Sequence, residues 1–304
     1  MNNKKRLFTF GCSFTNYKWP TWADILGREF DYFENWGKGG AGNKFIFHAL
    51  IECHQKNKFT PNDTIIIMWS TTDREDRYIK NHWRGNGSVY HHLAWPKEFV
   101  KDYFDWRGNF LCDVGLISAA TNLLKSWNVN FNMLAMMPLD NLCSNFDYLK
   151  EDQVTDILDL FKDVIDNIKP SVFEVIFNSS WGHNRLPKKE EIIKIYKSLS
   201  GNDWPPINKF LERDLSGVNE RFIKEIFDNI YLKAYFDPKS TPFVFDVGND
   251  LHPVPLEHLK YLDTILPEYN ISNKTREWVE MVNDCIVEKK LFDDLWTPTA
   301  VLRV

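Results

Sequence analysis

No Cys-x-x-Cys pair occurs in this 304-residue chain, and its five cysteines, at 12, 53, 112, 143 and 285, are an odd number scattered along its length. That spacing writes neither a cysteine zinc site nor a disulfide framework, so the thiols read as reduced. An excess of basic residues is also missing: 37 Lys and Arg stand against 42 Asp and Glu, a formal charge of -5. Such a chain has no general attraction for phosphate backbones or anionic lipid, and neither nucleic acid nor a membrane is an expected partner. Long apolar runs are absent too. No stretch approaches the ~18 residues of a membrane span, and the few apolar residues before Gly11 are too short for a signal-peptide core. The expectation is a soluble protein of a reducing cytoplasm. With 14 Gly, 14 Pro and 26% charged residues, the composition excludes disordered and collagen-like classes. What is plentiful is aromatic: 12 Trp within 15% aromatic residues, read first as core.

The chain alternates β-rich runs with helical spacings and has no internal repeat, the pattern of a parallel sheet covered by helices. Arg6-Leu-Phe-Thr-Phe10 is a first strand, and a helix opening at Pro20 puts Trp22, Ile25, Leu26 and Phe30 on one face. A second strand near 32–36 breaks at Gly37-Lys-Gly-Gly-Ala-Gly-Asn43, after which Ile46, Ala49, Leu50 and Cys53 keep helical spacing. Thr64-Ile-Ile-Ile-Met-Trp69 is almost continuously apolar, as a central strand buried on both faces requires. Beyond it the pattern predicts helices near 114–127 and 153–168, strands near 130–136, 172–177 and 243–247, and helices over 255–265 and 275–291. Two stretches interrupt this rhythm. Residues 73–110 are polar and aromatic without a clear period and read as an insertion or lid. Residues 178–236 hold two charged amphipathic helices, 188–198 and 219–235, and read as a second insertion. The expected organisation is one α/β domain over 1–271 with those insertions, then a C-terminal helix and tail over 272–304.

Four polar or glycine-rich segments each follow the carboxyl end of an expected strand: Gly11-Cys-Ser-Phe-Thr15, 35–43, Ser70-Thr-Thr-Asp73 and Asn249-Asp-Leu-His-Pro253. In an open parallel sheet these ends share one edge, where ligands bind. The joint pattern is far more specific than any one member.

In that order the segments resemble the blocks of the SGNH, or GDSL-type, hydrolases, which cleave esters and often remove acyl groups from carbohydrates or lipids. The family's Gly-Asp-Ser-x-Thr looks like Gly11-Cys12-Ser13-Phe14-Thr15, with Cys12 in place of Asp. Its Asn with an oxyanion glycine five residues on looks like Asn35 and Gly40. Its Gly-x-Asn-Asp becomes Ser70-Thr71-Thr72-Asp73, without the Asn. Its final Asp-x-x-His meets Asn249 three residues before His252, and Asp250 two before. The resemblance covers about 5–72 and 243–265, and implies a three-layer α/β/α fold of flavodoxin-like topology.

The resemblance implies a serine esterase that forms an acyl-Ser13 intermediate, acts on an O-acyl (acetyl) group of a carbohydrate, and uses no cofactor. A serine hydroxyl needs a base, and His252 is the candidate, with Asp250 or Asn249 orienting its other ring nitrogen. The oxyanion would be met by the N–H groups of Ser13 and Gly40, with Thr72 at the place of the missing Asn and Ser70, Thr71 or Arg74 as substitutes. Trp83, Trp95 and Arg74 are candidate substrate contacts, although a small satellite core accounts for the rings as well. Cys12 reads as a packed thiol. His91, His92, His252 and His258 lack carboxylate or cysteine at a ligand interval, so no metal is expected, and the 37–42 glycines lack a P-loop's Lys-Ser/Thr. The competing reading is a catalytically weakened domain of this type serving as a glycan-binding or assembly protein. A third is a flavin-binding flavodoxin-like protein.

Overall fold

The computed structural model describes residues 5–89, 95–137, 139, 155–177, 252–287 and 296. The chain divides into two compact units, 1–177 with 252–304, and 178–251; every described residue belongs to the first. The expected strand at 243–247, the helices at 188–198 and 219–235, and nearly all of 288–304 lie outside the described residues.

Four parallel strands form the sheet: β1 (Arg6–Phe10), β2 (Tyr32–Asn35), β3 (Asp63–Trp69) and β6 (Asn130–Ala135), in the order β2-β1-β3-β6. The register pairs Thr9 with Asn35, Phe10 with Ile67, and Trp69 with Ala135, so the carboxyl ends of all four strands lie along one edge. At the opposite edge the Arg6 guanidinium donates to both oxygens of the buried Asp63 carboxylate, at 2.6 and 2.5 Å, fixing β1 against β3. Every residue of β3 is buried, as its unbroken apolar run requires of a strand covered on both faces.

The covering helices fall into two groups, one on each face. α1 (Trp22–Gly27), α7 (Pro255–Ile265) and α8 (Asn273–Val287) pack together, and α2 (Asn43–Asn57) packs on α4 (Trp106–Ser126). The fold is therefore the expected three-layer α/β/α arrangement around a parallel sheet. Much of the tryptophan is core: Trp22, Trp36 and Trp69 are among the largest fully buried side chains.

Several expected elements differ. Residues 172–177 are not a strand; Val172 is followed by a turn of π-helix over Phe173–Phe177. After Pro170, the Ser171 hydroxyl accepts from Glu174 N–H at 3.2 Å and the Glu174 carboxylate accepts from Ser171 N–H at 2.6 Å, a capping box that starts a helical turn despite the β-rich composition. The first helix starts at Trp22 rather than Pro20, because Thr21 and Asp24 form its own capping box. α4 begins eight residues before the expected 114, where the Asp105 carboxylate accepts from Gly108 N–H. The expected 153–168 helix is broken into α5 (Thr155–Leu160) and α6 (Lys162–Ile165). The aperiodic 73–110 stretch holds an antiparallel hairpin, β4 (Arg74–Ile79) and β5 (His82–Ser88), then α3 (Lys97–Tyr103) and the start of α4.

Candidate active site

The loop after β1 turns sharply because Cys12 C=O accepts from both Thr15 N–H (3.0 Å) and Asn16 N–H (3.1 Å). Gly11 permits it: a Cβ there would lie 2.0 Å from Thr15 Oγ1. The Cys12 thiol is fully buried, 3.5 Å from Met136 Sδ, and is a packed group. Ser13 stands at the carboxyl edge, 9% exposed, and its Oγ lies 2.8 Å from His252 Nε2, bringing together residues 239 apart in sequence.

His252 precedes α7, whose entry is fixed by the Glu257 carboxylate accepting from Val254 N–H at 2.8 Å. Its imidazole contacts two rings of the loop after β1. Tyr17 stacks on it with centroids 3.8 Å apart and planes 12° from parallel, and Phe14 approaches tilted at 5.0 Å. Trp19 Nε1 donates to Pro253 C=O at 2.9 Å, tying the same loop to the backbone beside the histidine.

The loop after β2 is stitched to the loop after β1. Asn35 Nδ2 donates to Thr15 C=O (2.7 Å), and its Oδ1 accepts from Gly37 N–H (3.0 Å). Asn16 Nδ2 donates to Gly37 C=O (3.0 Å), and Lys38 N–H donates to Gly11 C=O (3.0 Å). Gly40 adopts φ 71° and meets the hairpin: Gly87 N–H donates to Gly40 C=O at 3.0 Å, and a Cβ on Gly40 would come within 2.6 Å of Gly85 C=O. Only glycine fits both the dihedral and the contact. Asp76 of β4 takes the N-terminal N–H groups of α2, accepting from Gly42 and Phe45 at 2.9 Å each. Burial pushes its carboxyl pKa up, and these two N–H donors pull against that. Arg74 Nη1 donates to Ala41 C=O at 2.9 Å. The hairpin is thus a brace for the glycine-rich loop. The backbone N–H groups of Ser13 and Gly40 donate to no acceptor among the described residues.

The loop after β3 is tied inward. Asn43, the first residue of α2, accepts from Ser70 N–H (2.7 Å) and donates to Ser70 C=O (3.1 Å) and to Asp113 Oδ2 (2.8 Å). Burial pushes Asp113 up to about 7, helped by the nearby Asp76 and Asp73 carboxylates and opposed by hydrogen bonding from Asn43 and Thr72. Thr72 is buried, with its side chain toward Asp113.

The other expected contacts lie among rings. Trp83 is edge-on to Phe45 (5.8 Å) and Tyr78 (5.5 Å), its carbonyl accepting from Lys38 Nζ, and Trp95 stacks on Phe99 at 4.9 Å. Asn249, Asp250, His91 and His92 lie outside the described residues. His258 is buried, and burial pushes its pKa down to about 3, so it is a neutral core group. Among the described residues no three His, Cys, Asp or Glu side chains gather to hold a metal, and no helix is long and apolar enough to cross a membrane. Sequence reasoning missed Tyr17, Trp19, Asn43, Asp76 and Asp113. Of these only Asn43 carried a signal, a polar residue closing a glycine-rich run at a helix start.

No protein-family model matches the chain, and no curated protein matches it. Among solved structures it is similar to a crystal structure described as a member of the lipolytic protein G-D-S-L family from Veillonella parvula DSM 2008. The identity is 13%, covering 77% of this chain and 98% of that one, with a TM-score of 0.32. At that level the likeness is a distant one of fold and carries no statement about chemistry.

Proposed function

We propose that this protein is a serine ester hydrolase in which Ser13 is the nucleophile and His252 the base. The observation that carries this reading is the 2.8 Å contact between Ser13 Oγ and His252 Nε2 at the carboxyl edge of a parallel sheet. A hydroxyl at that distance can pass its proton to the imidazole as it attacks an ester carbonyl. The tetrahedral oxyanion is met by the Ser13 and Gly40 N–H groups, which have no acceptor among the described residues. Collapse expels the alcohol, which takes the proton from His252 and leaves an acyl-Ser13. Water, deprotonated by His252, then releases the acid. Asp250 is assigned the second ring nitrogen of His252, with Asn249 as its alternative. Thr72 is assigned the third oxyanion position, through its backbone N–H, because its side chain turns toward Asp113. The finer assignment is an O-acyl group on a saccharide, with Arg74, Trp83 and Trp95 as contacts; of these, Arg74 stands beside the glycine-rich loop, its Nη1 on Ala41 C=O.

The test is intact-mass labelling with an organophosphonate serine probe. Stoichiometric labelling at Ser13 is expected, lost in Ser13→Ala and slowed at least 10³-fold in His252→Ala. The rate should fall as pH drops and His252 takes up a proton, because only neutral imidazole accepts the proton of Ser13. A profile flat to pH 4 would remove His252 from the role. A second reading, a glycan-binding or assembly protein, is favoured by one observation, the engagement of Thr72 with Asp113 where an oxyanion donor is needed. Folded wild-type protein that takes no label but binds acylated sugars would establish it.

A further inference from the structure

We propose that Tyr17 is a positioning residue of His252, acting on its ring plane. Its ring fixes the imidazole plane with Nε2 toward Ser13 and faces the positive charge that the imidazole acquires when Ser13 loses its proton. The inference rests on the hydrolase reading for its meaning in catalysis, but not for the contact itself.

A histidine side chain has two torsions, and the second is broad. The bond to Ser13 Oγ acts on one atom of the ring, whereas stacking acts on its plane: with Tyr17, centroids 3.8 Å apart and planes 12° from parallel mean that one face of the imidazole lies on the phenol ring. Phe14, tilted at 5.0 Å, closes a further side. The platform is itself held. Asn16 is fixed through its N–H to Cys12 C=O and its side chain to Gly37 C=O, and Trp19 packs edge-on against Tyr17 at 4.8 Å while donating to Pro253 C=O. One short loop therefore carries both Ser13 and the surface against which its base rests.

The face of an aromatic ring is negative, so it favours imidazolium over imidazole. Charged and titratable groups approach the pair from its own loop and from α7. Lys18, on the same loop, has its Nζ 5.4 Å from the Tyr17 centroid and 4.7 Å from that of Trp19. On α7, His258 is neutral and the Glu257 carboxylate is engaged at Val254 N–H.

The experiment follows the His252 ring C–H protons by NMR through a pH titration, alongside the Ser13 labelling rate, in wild type, Tyr17→Leu and Tyr17→Phe. Leucine keeps the space filled and removes the ring face. Wild-type His252 protons should lie upfield from the ring current. In Tyr17→Leu they should return downfield, the titration midpoint should drop by about half a pH unit, and the maximal labelling rate should fall roughly three- to tenfold with little change in probe affinity. Tyr17→Phe should restore most of what leucine loses. A folded Tyr17→Leu with unchanged titration and labelling overturns the proposal, as do wild-type ring protons without an upfield shift. If Tyr17→Leu does not fold, Trp19→Phe, which removes the Pro253 tether and keeps a ring against Tyr17, should give a smaller loss in the same direction; no change there also overturns it. If wild type takes no label, the hydrolase reading fails, while the ring-proton shifts and titration still decide whether Tyr17 orients His252.

Discussion

The two sides of the site use their polar groups in opposite ways. In the loops after β1 and β2, Asn35 and Asn16 satisfy neighbouring backbone groups, and the N–H groups of Ser13 and Gly40 donate to no acceptor among the described residues. In the loop after β3 the polar groups turn inward. Asn43 has its amide engaged three times, Thr72 faces Asp113, and Ser70 Oγ and Asp73 Oδ1 are buried without a hydrogen bond. Donors held rigidly but left unpaired are what a developing negative charge can use, whereas donors already paired only hold the loop in place. On the proposed reading the first side supplies two of the oxyanion donors, and the second is chiefly a clamp around a carboxyl group, with the Thr72 N–H as its one assigned donor.

The largest effect should come from damaging the first side. Gly40→Ala puts a methyl 2.6 Å from the Gly85 carbonyl at φ 71°, so the loop must shift and carry its N–H away. Labelling of Ser13 should slow about 10²–10³-fold. An unchanged rate in folded Gly40→Ala would remove Gly40 from the oxyanion role. On the second side Asn43→Ala should act on stability first. It removes three hydrogen bonds, two of them at buried groups, and leaves Asp113 without its best donor, so urea unfolding should show a loss of about 2–4 kcal/mol. A loss under about 1 kcal/mol would mean that the clamp contributes little.

Asp113 gives the clamp a pH dependence with a definite sign. An aspartate titrates near 3.9 in an unfolded chain, whereas here burial pushes it to about 7. Between those values the native state holds a proton that the unfolded chain releases. Stability contributed by this group is therefore full below about pH 4, falls as pH rises toward 7, and stays lower above it, by an amount on the order of 4 kcal/mol at most. Asp76, also shifted upward, adds in the same direction. Asp113→Asn keeps an acceptor for Asn43 and cannot ionise. It should unfold at higher urea than wild type at pH 8, and the advantage should shrink at pH 5. Equal losses for both proteins between those pH values would place the titrating group elsewhere.

The sheet was legible because its signals are strong and local. The unbroken run in β3 and the glycine punctuation after β1 and β2 mark a central strand and two strand ends, and a parallel sheet brings such ends to one edge. His252 was expected beside Ser13 from the joint pattern of the four segments, and the 2.8 Å contact brings the two together although the strand expected before His252 lies outside the described residues. Two kinds of feature were not legible. Long-range polar ties such as Asn43 to Asp113 connect residues with no shared periodicity. At 171–174 a local capping box outweighed a β-rich composition that reads as a strand. The stacking of Tyr17 was hidden for the first of these reasons: nothing in its own neighbourhood says which ring it will meet.

The hairpin escaped notice for a third reason, and it allows the finest test of how the first side is braced. Ile79 pairs with His82 across a two-residue turn, Lys80-Asn81, and both turn residues have positive φ, 50° and 63°. This is the dihedral pattern of a type I′ turn, whose usual marker is Asn-Gly or Asp-Gly, so Lys-Asn gives almost no signal in sequence. Lysine is also strained there, because its Cβ disfavours the left-handed region. Replacing the pair by Asn-Gly should relieve that strain and stabilise the protein by about 0.5–1 kcal/mol, read as a higher urea midpoint with an unchanged slope. Because Gly85 and Gly87 of the same hairpin contact Gly40, the labelling rate of Ser13 should hold or rise slightly. A gain in stability with a slower rate would show that the Gly40 loop works only when the hairpin is free to yield, and the brace would have to be reread as a spring.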